Sequence, residues 1–206
     1  MNALHAPIGR PLAALLLAAC AWAGAANAES LAAKERRLDH ERAQAAYRLE
    51  WSSCRKLQGN ARDVCKVQAR GNFDVAKAQV EARYKASPAN EDGVKLARAE
   101  AAWRLAGEKC EDLRGNAQDV CKADAKAVWV AARSEIRLSR ASADKGLYSR
   151  TAVHERKEAR DDTADALYAA AKERCDALSG DAKAGCVSDA KEVREDLTPG
   201  VIPASG

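Results

Sequence analysis

The side chains best equipped for chemistry in this chain are its cysteines. Six of the seven stand in three pairs at one spacing: Cys54 and Cys65, Cys110 and Cys121, Cys175 and Cys186. Two thiols eleven residues apart could ligate a metal, exchange disulfides or close a structural bridge. The redox pair of disulfide oxidoreductases has two residues between its cysteines, and here ten intervene. Metal ligation needs further donors, and the histidines supply few. His40 and His154 lie far apart in charged stretches that read as solvated helix surface, and His154 with Glu158 gives only two ligands at helical spacing. Asp161, Asp162 and Asp165 cluster near the start of a helix, where they complement its positive end. No set of titratable residues converges on a catalytic centre, so the sequence predicts no enzyme, no cofactor and no metal. The six cysteines read as structural staples.

The pairs are the ends of one repeated figure: a cysteine, a leucine three residues on (Leu57, Leu113, Leu178), a Gly-Asn or Gly-Asp step, and the second cysteine. Such a figure predicts two helices joined by a tight turn. The first helix would stop at Gly59, Gly115 or Gly180, where glycine takes the left-handed conformation without a Cβ clash. Asn60, Asn116 or Asp181 would then cap the second helix, with Asp63 and Asp119 completing a capping box and Ala184 replacing the acid in the third copy. Each cysteine pair is symmetric about its turn, so the two should face each other. Sequence alone permits other pairings of the six, but the regular spacing favours closure within each hairpin, worth about 3 kcal/mol apiece in the chain-entropy model.

A disulfide requires Cα atoms about 5.5 Å apart, nearer than most packed helices come, so the seam must be lined by small residues. In the second copy the seam reads Ala99, Trp103, Ala106, Cys110 and Leu113 inward, then Ala117, Cys121, Ala125, Val128, Ala132 and Ile136 outward. Seven residues before the first cysteine stands Tyr47, Trp103 or Tyr168, and eight after the second stands Phe73 or Trp129. The first two hairpins should therefore close an aromatic contact. The third has Val193 or Arg194 there and is the degenerate copy.

These elements predict an all-α chain of three disulfide-stapled antiparallel helical hairpins, six long helices in all, forming an elongated repeat array or a loose bundle. The units read as residues 1–28 (signal peptide), 29–87, 88–145 and 146–198 (the hairpins) and 199–206 (a loose tail). Helices should run from Ser30 to Gln58, Asn60 to Ala86, Asn90 to Arg114, Asn116 to Ser142, Thr151 to Ser179 and Asp181 to Leu197, with Ser87-Pro88 ending the second. First cysteines are 56 and then 65 residues apart, so the second junction should be the longer. Away from the seams the helices are mostly Lys, Arg, Glu, Asp, Gln and Ala. That leaves a thin surface for packing one hairpin on another and favours the elongated array.

Composition agrees. With 4% aromatic and 31% charged residues the chain resembles long solvated helices rather than a bulky core. Its 34 basic and 30 acidic residues are interspersed, which argues against a nucleic-acid stripe. Residues 1–28 read as a secretion signal: Arg10, an apolar run from Leu12 to Trp22, and Ala26-Asn27-Ala28 before Glu29. No later stretch is apolar enough to span a bilayer. Leu17-Ala18-Ala19-Cys20 also resembles a lipobox, and the alternative is a lipoprotein anchored through Cys20. Six cysteines in an exported chain imply an oxidising compartment and dependence on oxidative folding machinery.

The figure Cys-x-x-Leu-x-Gly-Asn-Ala-x-Asp-Val-Cys, complete at Cys54 to Cys65 and Cys110 to Cys121 and partial at Cys175 to Cys186, resembles a group of Ala/Lys-rich bacterial envelope proteins. Some of these are likened to the TolA cell-envelope biogenesis protein. The resemblance implies a periplasmic address and carries no functional residue. The expected function is a non-catalytic periplasmic structural or interaction protein acting on another envelope component. The alternative is a small helical periplasmic stress chaperone or ligand binder. N-terminal sequencing of the exported protein should start at Glu29; a lipid-modified Cys20 would replace the soluble form by a membrane-anchored one.

Overall fold

A computed structural model describes residues 13–146 and 148–198, with side chains from residue 31 onward except at residues 144 and 145. Arg10 and the tail 199–206 lie outside the described residues, as do the side chains of Cys20 and Ala26-Asn27-Ala28. Six helices follow one another: α1 (Ala13–Ser53), α2 (Gly59–Tyr84), α3 (Pro88–Lys109), α4 (Asn116–Lys145), α5 (Arg150–Cys175) and α6 (Gly180–Leu197). There is no strand among the described residues. The longer spacing before the third copy is taken up by longer helices, α4 with 30 residues against 26 in α2 and α5 with 26 against 22 in α3, rather than by a long linker.

Each pair of helices closes as a hairpin through its own cysteines. Cα atoms are 5.6 Å apart at Cys54 and Cys65, and 5.7 Å apart at both Cys110–Cys121 and Cys175–Cys186. The first cysteine of each pair is completely buried. Beyond the bridges Tyr47 stacks on Phe73 with ring centroids 5.1 Å apart, and Trp103 on Trp129 at 4.6 Å. Such contacts add about 0.5–1.5 kcal/mol to burial. Where the third copy lacks the second ring, a cleft of about 270 Å³ opens beside Tyr168 and Val193.

The turn is built differently from the expectation. The incoming helix tightens into a 3₁₀ turn at the first cysteine, closed by Leu57 N–H to Cys54 O at 3.1 Å, with Leu113 to Cys110 and Leu178 to Cys175 at 3.0 Å. The chain then runs extended through Leu57 and Leu113. Glycine's positive φ, 55–57° at all three turns, starts the second helix instead of ending the first. No side-chain cap forms at α2 or α4, so the N-cap role of Asn60 and Asn116 and the capping boxes of Asp63 and Asp119 are corrected. The leucines are not seam residues either; Leu57, Leu113 and Leu178 are 40–44% exposed, and Val128 and Ala117 also face outward. At the first junction Ser87 caps α3, accepting from the Asn90 N–H at 3.2 Å with Pro88 in the first turn. The Asn90 side-chain Nδ2 donates to the Lys85 carbonyl at 2.6 Å.

The asparagines of the turns serve the neighbouring hairpin. Asn60 Nδ2 donates to the Glu108 carbonyl at 3.1 Å, and Asn116 Nδ2 donates to the Glu173 carbonyl. Both carbonyls lie two residues before the first cysteine of the next unit, at the negative end of its incoming helix. Between these clips α2 packs along α3 and α4 along α5, more extensively than the helices within a hairpin pack on each other. The expectation of a thin surface between hairpins is therefore corrected: the three stack side by side, each internal helix packing on the one before and the one after it. The reason is small residues. A Cβ added at Gly71 would lie 2.8 Å from Ala101 Cβ, so the α2 and α3 backbones approach closely enough for alanine and glycine to suffice.

Gly71→Val should wedge α2 from α3 and destabilise the protein by about 1–3 kcal/mol. Gly93→Ala, whose Cβ would meet nothing within 4 Å, should be neutral or stabilising by up to about 1 kcal/mol. Urea unfolding of the two variants beside wild type checks both.

Candidate functional site

The side chains with capacity for chemistry gather in two places. At the far end of the first hairpin, Asp39 and His40 of α1 meet Glu81, Arg83 and Tyr84 of α2. His40 Nε2 lies 2.9 Å from Glu81 Oε1, so His40 is an interhelical partner and not the solvated residue expected. Asp39 accepts from Tyr84 Oη at 3.0 Å, Arg83 at 2.9 Å and Arg42 at 2.8 Å. The Tyr84 hydroxyl and the Arg83 guanidinium hold its carboxyl below the ordinary range. Burial, reinforced by donation to Asp39, pushes the Tyr84 hydroxyl up, and the hydrogen bond with His40 lowers Glu81. The cluster ties the C-terminal end of α2 to the middle of α1.

The second place is a cleft of about 1040 Å³ along α4 and α5, reached by Leu96 of α3. Its α4 wall carries Lys122, Lys126, Arg133, Arg137 and Arg140, and its α5 wall Glu155, Asp162, Asp165 and Glu173. Arg137 sits between Glu155, at 3.3 Å, and Asp162, at 2.9 Å. Arg137 Nε and Glu155 Oε2 face each other buried without a hydrogen bond, so that contact is coulombic, whereas Arg137 donates to Asp162. Arg133 lies over the Trp129 ring at 4.5 Å. At the mouth Arg140 reaches the buried Asp92 of α3 at 2.9 Å, and Lys95 reaches it at 3.0 Å. Burial works against ionisation of Asp92, but donation from Lys95 and Arg140 prevails and holds its carboxyl below the ordinary range.

The acidic cluster on α5 is not one site. Asp161 pairs with Lys157 at 2.6 Å on its own helix, Asp162 with Arg137 of α4, and Asp165 with Arg194 of α6. Three successive acids thus point to three cations on three helices. His154 and Glu158 stand 3.2 Å apart on the exposed face of α5. Among the described residues no group of three or more His, Cys, Asp or Glu is placed to hold a metal ion. The six predicted cysteines are brought together pair by pair, and the buried sulfur of Cys54, Cys110 and Cys175 is poorly placed for attack by a thiolate. Asp92 was missed from sequence because it sits in the first turns of α3 like any helix-start acid. Its partner Arg140 is 48 residues away.

Asp39, Glu81, Asp92, Glu111 and Asp176 are all depressed, Glu111 through donation from Lys122 and Asp176 through donation from Lys183. A carboxyl lowered in the folded state stabilises above its unfolded pKa of about 4, and that contribution is lost as pH falls through the folded value. The thermal midpoint should therefore be lower at pH 3 than at pH 7. Asp92→Asn should cost about 1–2 kcal/mol at pH 7 and shrink that difference; an unchanged pH dependence would show that Asp92 is not among its sources. No protein-family model, curated protein or solved structure matches this chain.

Proposed function

We propose that the chain is a non-catalytic protein of the bacterial periplasm that acts by presenting its helical faces to another component of the cell envelope. Three disulfides fit an oxidising, non-cytoplasmic compartment, and no helix among the described residues is long and apolar enough to cross a membrane. The periplasmic address rests on the signal-like N-terminus, and the bridges imply oxidative folding machinery as an assembly partner. The carrying observation is how the recurring residues are used. Cysteines, stacked aromatics and seam alanines close hairpins, while Gly71, Asn60 and Asn116 join them. What remains is solvated helix surface bearing both signs of charge, suited to salt-sensitive contacts with another macromolecule and not to a nucleic-acid backbone.

One observation favours the alternative, a small helical stress chaperone or ligand binder. The α4–α5 cleft has the volume of a ligand site. Its walls are charged and already joined across the gap, which suits a polar guest better than an unfolded apolar chain.

In cells lacking the protein, a version carrying His40→Ala, His154→Ala and Asp161→Ala together should restore whatever function is lost. Removing a cysteine pair should lower protein abundance. A single exposed polar substitution that abolishes function at normal abundance would reveal a defined catalytic or ligand site and overturn this reading.

A further inference from the structure

Every internal helix has two working faces. One carries the cysteine and the aromatic of its own hairpin. The opposite one packs on the neighbouring hairpin, and there the sequence of α3 recurs in α1: Arg-Ala-x-Ala-Ala-aromatic-Arg-Leu occupies 42–49 and again 98–105. In α3 this face is covered by α2. Ala101 meets Gly71, Arg104 lies 3.7 Å from Asp74, and the Glu108 carbonyl accepts from Asn60. In α1 the same register brings Ala45, Arg48, Leu49 and Ser52 to an outer face that nothing among the described residues covers; Leu49 is 72% exposed.

The other end of the stack is finished differently. At the position of Asn60 and Asn116 the third copy has Asp181, and at that of Gly71 and Ala127 it has Glu192, both exposed. A carboxylate cannot donate to a carbonyl, and it opposes the negative end of a helix. A glutamate cannot enter a contact that is filled by glycine at 71 and by buried alanine at 127. So α6 closes the array with a polar surface, as terminal repeats do, while α1 leaves it open.

We propose that the outer face of α1 is a docking edge for a helical hairpin of another protein. The second helix of that hairpin would open with Gly-Asn and carry glycine or alanine eleven residues after the asparagine and an acid fourteen after it, as α2 does at Gly71 and Asp74. Asp181 and Glu192 keep this chain's own third hairpin out of that position. The proposal deepens the interaction reading above and rests on it. Continuity with an interface already formed inside the molecule supplies the argument: the asparagine clips the Ser52 carbonyl, the small residue meets Ala45, and the acid pairs with Arg48.

The full-length protein supplies its own probe. Asp181→Asn with Glu192→Gly restores the missing stripe and keeps Glu195 at the position of Asp74, and Leu49→Glu on the same chain blocks its own edge. Circular dichroism and a thermal midpoint near that of wild type establish that the probe is folded. In sedimentation the probe should form a 1:1 complex with wild type, weakened about tenfold or more by Leu49→Glu in the wild-type partner, while wild type alone stays monomeric. The proposal is overturned if the folded probe does not bind wild type, or binds it and its Leu49→Glu variant alike. It is also overturned if unaltered wild type assembles head to tail through Leu49, which would make its own third hairpin the occupant. Any of these leaves the broader interaction reading standing, because that is judged by complementation.

Discussion

Alanine has little surface to bury, so two alanine-rich helices hold together only if their backbones come unusually close. Close approach is the constraint on which this molecule depends. At the hairpin seams it brings cysteine Cα atoms to 5.6–5.7 Å and lets a disulfide span them. Between hairpins it allows Gly71 against Ala101 and puts the Asn60 side chain within reach of a carbonyl on another unit. A bulkier residue at these points would remove the geometry on which the bridges and clips rely. Long amphipathic helices would not need such devices. These helices bury mostly alanine, and covalent and hydrogen-bonded fasteners do part of what a larger core would do.

The two opposite working faces also determine the architecture. A helix with one apolar stripe packs into a bundle, whereas a helix with narrow stripes on both sides packs into a row. Helices two or more apart along this chain do not pack extensively on one another. Six helices at 8–10 Å spacing give a layer roughly 40–50 Å wide, similar to the length of the 30-residue α4. Charge patterning follows the same geometry. Arg104 reaches back to Asp74, Arg174 to Asp124, and Arg137 forward to Asp162, so interspersed signs that read as solvation also align neighbouring units.

How much was legible depended on whether a feature was periodic within one hairpin. The cysteine pairing, the stacked rings at Tyr47–Phe73 and Trp103–Trp129, and the degenerate third copy all follow from distances counted along the chain about a turn. The asparagines were misread because local capping rules assign Asn60 to the helix it begins, while its amide finds a carbonyl 48 residues away. The leucines were misread because a hydrophobic residue one turn past a buried cysteine looks like core until the helix is seen to tighten and leave it outside. Hairpin stacking was underestimated for a related reason. Hydrophobicity reports how much surface a residue can bury, not how near two backbones can come, and Gly71 contributes only the second.

The short span of each bridge also shapes the route by which the protein is made. Native partners are separated by 11 residues, and the nearest competing pair among the six bridged cysteines, Cys65 with Cys110, by 45. Closing the longer loop costs about 1 kcal/mol more in chain entropy, several-fold in the frequency of encounter. A chain that meets its oxidant from the N-terminus onward presents Cys54 and Cys65 together well before Cys110 arrives. Each hairpin can then be sealed in turn, and chain entropy favours the native bond over its competitors at every step. Assembly of the row reduces to laying each sealed hairpin against the one before it.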